Sequence, residues 1–326
     1  MDLAFKYGFD SEYKFKVMKE MRESTPSMLE KVTVRGKTYE DTDSDSFPDL
    51  ITQTVAVNGR TTTLVNDVLE SRKTITSSEG RVVTTAYDPD TLLTAGVTIP
   101  GLYDTTYGYD SAGNLTSINT NTRGTAFAYN NKGFLASVTD PLNQTTSYTY
   151  DPAGRVTGIN RPDGSSVGFT YDKNGNMTIL TVPITVNHAF GYNKVNRKDA
   201  YTAPLSGTYQ YVYDKDRRLI STVFPSGAEI NNVYDKARLV QIQTPEGNID
   251  LTYLCATKVG TITNGADTIT YGYDGKLVTS KTLAGTLNQS LSYTYNNDFK
   301  PASFIYAGES ENYAYDDDGL LTGAGG

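Results

Sequence analysis

The sequence predicts an all-β chain, a single long antiparallel meander of tyrosine–aspartate hairpins that twists or curls into a spiral or a partial hollow wall. Tyrosines recur at intervals of 19 to 22 residues, turn-forming Asp, Asn and Gly follow them, and the runs between turns alternate rings with small polar side chains. A repeat at such a period marks stacked supersecondary units.

Tyr87, Tyr109, Tyr129, Tyr150, Tyr171, Tyr192, Tyr213, Tyr234, Tyr253, Tyr273, Tyr295 and Tyr315 set the period. Asp follows most of them (Asp88, Asp110, Asp151, Asp172, Asp214, Asp235, Asp274, Asp316), and Asn follows others (Asn130, Asn193, Asn296). Residues 146–171 display one unit. Thr146-Ser147-Tyr148-Thr149-Tyr150 alternates with period two, as a half-buried strand does. Asp151-Pro152-Ala153-Gly154 turns the chain: Asp bonds its own backbone, Pro fixes φ, and Gly accepts a positive φ. Gly113, Gly133 and Gly175 stand at the same place in their units. A second strand, 156–159, leads through Arg161-Pro162-Asp163-Gly164 into the next unit.

Aromatic pairs two apart, such as Tyr148/Tyr150 and Phe169/Tyr171, share a strand face and predict ring ladders across the sheet. After each turn come apolar residues three apart, such as Leu135/Val138 and Val156/Ile159. That spacing is not a strand period, so either a bulge follows the turn or the two residues face opposite sides. Tyr253, followed by Leu254-Cys255, and Asp274, whose turn is shorter, should mark irregular units.

Upstream, residues 29–35, 51–57, 60–65, 72–76 and 81–87 read as strands, with Asn58-Gly59 and Glu79-Gly80 as hairpin turns. Residues 12–22 have a helix-compatible composition. The organisation expected is an N-terminal stretch of strands over 1–86, continuous with tandem repeats over 87–326. With roughly 28 strands about 4.8 Å apart, the ribbon would run on the order of 130 Å along its path, and accumulated strand twist would curl it.

Composition narrows the function. Hydrophobic residues make up only 37% of the chain, which suits strands with one wet face. A net charge of −8 argues against a nucleic-acid groove, which needs clustered Lys and Arg. No apolar run is long enough for a membrane span, and residues 1–20 lack the apolar stretch of a signal peptide. Cys255, the single cysteine, makes no internal disulfide and leaves the compartment open. The last unit breaks off at Gly326 without a polar cap, so the chain reads as part of a longer one.

The run Tyr109-Asp110-Ser111-Ala112-Gly113-Asn114-Leu115-Thr116-Ser117-Ile118 resembles the YD repeat of the RHS/YD-repeat family. That family includes bacterial Rhs polymorphic toxins, the B/C components of insecticidal Tc toxins, cell-wall-associated proteins and teneurins. The resemblance implies a β-strip spiralling into a hollow shell, which in toxin members encloses a C-terminal effector. It implies a non-catalytic scaffold, secreted or at the cell surface, whose partners are the rest of a parent chain and its effector. The family's cleavage region pairs two Asp-Pro-x-Gly tetrads; here Asp151–Gly154 matches one, but the next unit reads Asp172-Lys173-Asn174-Gly175, so an ordinary turn is expected. A carbohydrate-binding or adhesive module is the alternative, through exposed tyrosine rows. Self-association through open sheet edges is a further expectation.

The repeat residues expected to build the wall include Tyr109, Asp110, Tyr129, Tyr150, Asp151, Tyr171, Asp172, Tyr213, Asp214, Tyr234, Asp235, Tyr273, Asp274, Tyr315 and Asp316, with their glycines. One motif carries ligand chemistry. Asp41, Asp43, Asp45 and Asp49, with the Phe47 carbonyl, place oxygens as a Ca²⁺ loop does, although Ser46 stands in place of the turn glycine and Thr52 in place of the closing Glu. A solvated acidic loop explains the same residues. His188 and Cys255 lack partner patterns and read as sheet residues, and the recurring aspartates serve the turns rather than acid–base chemistry.

Overall fold

A computed structural model describes residues 1–10, 16–45, 47–184, 186–255 and 257–325. Among these there are thirty strands and no helix. They are numbered in chain order, from β1 (Asp2–Phe9) and β2 (Lys16–Ser24) to β29 (Glu309–Tyr315) and β30 (Leu321–Gly325). From β1 to β9 (Thr105–Tyr109), from β11 (Arg123–Tyr129) to β24 (Val259–Asn264) and from β26 (Leu277–Ala284) to β30 each strand pairs antiparallel with the next, as in a meander.

One unit explains the three-residue spacing. In β13 (Thr145–Tyr150) and β14 (Val156–Asn160), Tyr148 lies opposite Ile159, Thr149 opposite Gly158, and Tyr150 opposite Val156. Thr157 is therefore the extra residue of a β-bulge. The bulge puts Val156 and Ile159 together on the face of Tyr148 and Tyr150. The same shift precedes Tyr87, Tyr129, Tyr171, Tyr192, Tyr213, Tyr234, Tyr253, Tyr295 and Tyr315. Threonine hydroxyls pair across the other face, Thr149 with Thr157 at 3.2 Å and Thr170 with Thr178 at 2.9 Å. Rings on one side and hydroxyls on the other account for the abundance of both.

Three expectations are corrected. Residues 16–24 form β2 and not a helix; residues 12–15 lie outside the described residues. Pairing with β1, which sets Phe5 opposite Met21 and Tyr7 opposite Met18, outweighs the weak helix propensity of that stretch. The Tyr253 unit keeps the regular bulge, and Leu254 N–H still bonds Lys258 C=O at 2.9 Å, because that turn needs its backbone bonds more than an Asp. The irregular unit the sequence did not flag is at Asp235, which lies opposite Arg238 within a tight hairpin and caps no wider turn.

Val167, 8% exposed, is the only buried apolar side chain among the described residues, and no side chain there is fully buried. Cohesion thus comes from neighbour-to-neighbour strand contacts and not from a central core. The chain divides into two units by contact density. One comprises Tyr109–Ile118 and Thr122–Thr268; the other combines Met1–Gly108, Asn119–Asn121 and Ile269–Gly326, and so brings both ends of the sequence into one body.

Candidate functional site: the tyrosine joint and the aspartate corners

The repeat tyrosine acts through its hydroxyl as well as its ring. Tyr171 Oη donates to the Val156 carbonyl at 2.8 Å, Tyr150 to Leu135 at 2.7 Å, Tyr192 to Met177 at 3.0 Å, and Tyr253 to Leu239 at 2.7 Å. Tyr129, Tyr213, Tyr234, Tyr295 and Tyr315 do the same toward Leu115, Lys198, Leu219, Val278 and Pro301. The acceptor is the first or second residue of the strand that follows the previous turn, so each bond ties one unit to the one before. The sequence carried a signal for this. The second ring of each pair is always Tyr, whereas the first is Tyr or Phe, as in Phe127/Tyr129 and Phe169/Tyr171. Only the second position needs a donor.

The aspartate corner follows directly. Asp151 Oδ1 accepts from the Ala153 N–H at 2.9 Å and the Arg155 N–H at 3.0 Å, while Gly154 N–H bonds the Asp151 carbonyl at 3.0 Å. Asp110 and Asp172 repeat this geometry, and so do Asn130, Asn193 and Asn296, whose Oδ1 occupies the same place. That shared acceptor is why Asp and Asn interchange. The fourth corner residue has positive φ: +80° at Gly154, +57° at Asn196, +65° at Arg217 and +63° at Phe299. Hydrogen bonds hold these carboxyls below the usual aspartate range: from Asn114 at Asp110, from the Arg155 backbone and side chain at Asp151, and from Asn176 at Asp172.

Two corners extend to the next unit. Arg155 bonds Asp151 through Nε at 2.7 Å, reaches the Asp172 carbonyl through a guanidinium N–H at 3.0 Å, and lies 4.6 Å from the centre of the Tyr171 ring. Arg218 does likewise with Asp214, the Lys236 carbonyl and the Tyr234 ring.

In the unit built from both chain ends, corners meet hairpins far away in sequence. Asp298 pairs with Arg60 and accepts from Asn58 Nδ2 at 2.6 Å. Asp318 pairs with Arg81 and accepts from Ser77 Oγ at 2.7 Å and from the Glu79 N–H at 3.1 Å, while Asp316 takes the other arm of Arg81 at 2.7 Å. The two Gly-Arg hairpins stand 21 residues apart (60 and 81) and the two acidic corners 20 apart (298 and 318), so two repeats engage two hairpins in step. Asp274, 8% exposed, forms a third contact, accepting from the Ser27 N–H at 3.0 Å and from the Ser27 hydroxyl. Asp274 thus departs from its expected role as a turn residue. Burial pushes its carboxyl up, but the bonds from Ser27 and Thr25 outweigh burial and hold it low. Sequence reasoning missed this seam because its partners lie some 240 residues apart; its one local trace is acid at the third corner position, where Asp110 and Asp151 units carry Ala112 and Ala153.

The remaining candidates are placed as follows. Asp41, Asp43 and Asp49 bring carboxylate oxygens within 4.8 Å of one another, and Asp45 is not in that group. The Asp45 carboxylate instead accepts from the Phe47 N–H at 2.8 Å, and Ser46 lies outside the described residues. Asp49, 5% exposed, takes the Thr42 N–H and hydroxyl, each at 2.6 Å, and these bonds hold its carboxyl low. His188 is a sheet residue, bonded through Nδ1 to Tyr201 Oη at 2.8 Å and stacked on that ring. Cys255 is exposed in the turn after residues 247–253 and not in a strand. The rings of Phe190, Tyr201 and Tyr209 stack in series at 5.3 and 5.7 Å, so their faces cover one another.

The teneurin YD-shell family model matches residues 14–326. No curated protein matches the chain. Among solved structures, it is similar to a chain in the crystal structure of TcdB2-TccC3-Cdc42, with 13% sequence identity and a TM-score of 0.63 over 99% of this chain and 19% of that one. A chain in the crystal structure of TcdB2-TccC3 without its hypervariable C-terminal region is 14% identical, with a TM-score of 0.29 over 99% of this chain and 23% of that one. This chain thus spans about a fifth of the length of these solved chains. Its tyrosine joints, its aspartate corners and the extent of the family match lead to one assignment: the chain belongs to the teneurin YD-shell family.

Proposed function

We propose that the chain is a non-catalytic scaffold, a section of shell wall from a larger protein that is secreted or delivered to a cell surface. The observation that carries this reading is the pairing of a nearly coreless sheet with a joint that recurs along the chain. Such a sheet spends its side chains on continuity, and it can extend without limit while enclosing space. On this reading the wall faces a C-terminal effector of the parent chain, as in toxin members of the family. Limited proteolysis tests the scaffold: stacked units protect one another, so cleavage should be confined to the termini and a few loops. Ready cutting between repeats along the whole length would overturn it.

Adhesion to carbohydrate has weaker support. Sugar rings stack on open aromatic faces, whereas the Phe190–Tyr201–Tyr209 row turns its faces inward on itself. We also propose Ca²⁺ as a ligand of Asp41, Asp43 and Asp49, whose hard oxygens converge; the ion would hold the loop's shape and take no part in any reaction.

A further inference from the structure

A lysine occupies the same corner position in four successive units. Lys173, Lys194, Lys215 and Lys236 each follow the Asp or Asn that follows a repeat tyrosine, and they stand 21 residues apart. The row is bounded within the chain, since that position holds Asn131 and Pro152 before it and Leu254 and Gly275 after it. Strands β15 (Ser166–Tyr171) to β22 (Arg238–Thr244) pair in succession, so the four corners lie along one end of the sheet at every second strand. Two strand spacings set the corners about 10 Å apart and make the row about 30 Å long. Neighbouring corners touch: Asn174 Nδ2 donates to Asn196 Oδ1 at 3.1 Å, and the Arg218 guanidinium donates to the Lys236 carbonyl.

These lysines are left unneutralised. All four are exposed, and none of their ammonium groups has a partner among the described residues. The corners 172–176, 193–197, 214–218 and 235–238 together hold eight Lys and Arg against four Asp, and each of those carboxylates is already taken. Asp172 accepts from Asn176 Nδ2 at 2.8 Å. Asp214 and Asp216 pair with Arg218 at 2.7 and 3.3 Å, and Asp235 pairs with Arg238 at 3.6 Å. The turns at the other ends of these strands, 183–185, 204–206, 224–228 and 245–246, carry no cation. One end of this section is therefore positive in a chain whose net charge is −8.

We propose that this row binds a linear acidic polysaccharide carrying one sulfate or carboxylate per disaccharide, with each lysine taking one anion. A pitch of about 10 Å between corners matches the advance of one disaccharide along such a chain. Lysine offers a compact charge on a flexible stem, which suits single sulfates and carboxylates. Single-stranded nucleic acid would need open rings beside the cations. Here Arg155 and Arg218 cover the rings of Tyr171 and Tyr234, and the Tyr192 and Tyr213 hydroxyls are committed to the Met177 and Lys198 carbonyls. An anionic bilayer spreads its charge over a plane and draws nothing from a repeat along one line. No tyrosine face takes part, so the site is separate from ring stacking on sugars, and it needs no effector.

The test is calorimetry of the full chain with size-defined chondroitin sulfate oligosaccharides at about 0.15 M salt. Affinity should rise with length up to four disaccharides, one for each lysine, and then level off. Lys173→Gln, Lys194→Gln, Lys215→Gln and Lys236→Gln together should weaken binding of the longest oligosaccharide about tenfold or more, and each alone roughly 1.5- to 5-fold, the range for exposed ion pairs. Arg123→Ala with Arg161→Ala removes two exposed cations beside the opposite turns and should leave affinity unchanged. In the unaltered chain the oligosaccharide should shield the four lysines from acetylation while the exposed Lys276 still reacts, a reading that needs no variant to fold. No binding up to about 1 mM, equal affinity in the four-lysine variant, or shielding of Lys276 equal to that of the row would overturn the proposal. So would tighter binding of duplex DNA or of phosphatidylserine vesicles that is lost with the same four lysines.

Discussion

Tyr171 Oη lies 2.8 Å from the carbonyl oxygen of Val156, fifteen residues earlier, and Arg155 beside that carbonyl lies over the Tyr171 ring. One side chain is thereby held at its tip and on its face by the preceding unit. Tyr171→Phe keeps the ring and removes only the tip. It should destabilise the chain by about 1 kcal/mol, the net value of one such bond, seen as a lower urea midpoint at unchanged slope. Phe169 occupies the position where no hydroxyl is used, so a loss of similar size from Phe169→Tyr would contradict this division of labour.

Gly133 and Gly154 separate backbone strain from crowding. Both have positive φ, +78° and +80°. A Cβ on Gly133 would meet nothing within 4 Å, whereas one on Gly154 would come within 2.6 Å of the Phe134 ring. Gly133→Ala should therefore cost only the conformational term, about 1 kcal/mol. Gly154→Ala should cost a further ~1–3 kcal/mol because the ring must move. Thermal unfolding of the two variants side by side measures the difference.

Much of this fold was legible because each unit is local. Alternation, the Asp or Asn acceptor and the corner glycine all act within about ten residues, so Tyr150, Asp151 and Gly154 could be assigned from their own neighbourhood. The bulge was visible only as an ambiguity, since Val156 and Ile159 sit three apart; the partner strand resolves it by leaving Thr157 unmatched. The hydroxyl joint was readable in principle from the Tyr-only second position. What could not be read were contacts that depend on the path of the whole sheet. Nothing near Asp298 names Arg60, and nothing near Asp274 names Ser27. The shape of the Asp41–Asp49 loop was likewise hidden, because Asp45 has the choice of a metal or its own backbone, and spacing does not rank the two.

Calorimetry decides whether that loop takes Ca²⁺. With Asp41, Asp43 and Asp49 converging and Asp49 already held by Thr42, binding should be weak, in the 10⁻⁴–10⁻³ M range of loops with few charged ligands. Asp43→Asn should remove the heat while leaving the fold intact, since its amide oxygen can still accept from the Asp45 N–H. Absence of heat through the millimolar range would leave an acidic surface loop.

Acid should open the seam before it unfolds the sheet. Asp316 is held below the ordinary aspartate pKa mainly by Arg81. Asp318 is raised by burial but pulled lower overall by Ser77, Glu79 and Arg81. A carboxyl with a lowered folded pKa stabilises at every pH above its unfolded value, near 3.9, and that stabilisation disappears as pH falls through the folded value. The seam contacts should thus persist from neutral pH to about pH 5 and weaken below about pH 4. Hydrogen exchange of residues 77–81 and 316–319 reads this directly: their protection should fall while that of residues 166–171, tied through the uncharged Tyr171 joint to the Val156 carbonyl, persists. Asp318→Asn should give at neutral pH the exchange that acid gives the unaltered chain, and Arg81→Ala should match it, because the two act as one contact. Added salt should loosen the same residues partly, as the exposed arms of Arg81 are screened. Equal loss of protection in both regions on acidification would mean that the seam carries no separate acid sensitivity.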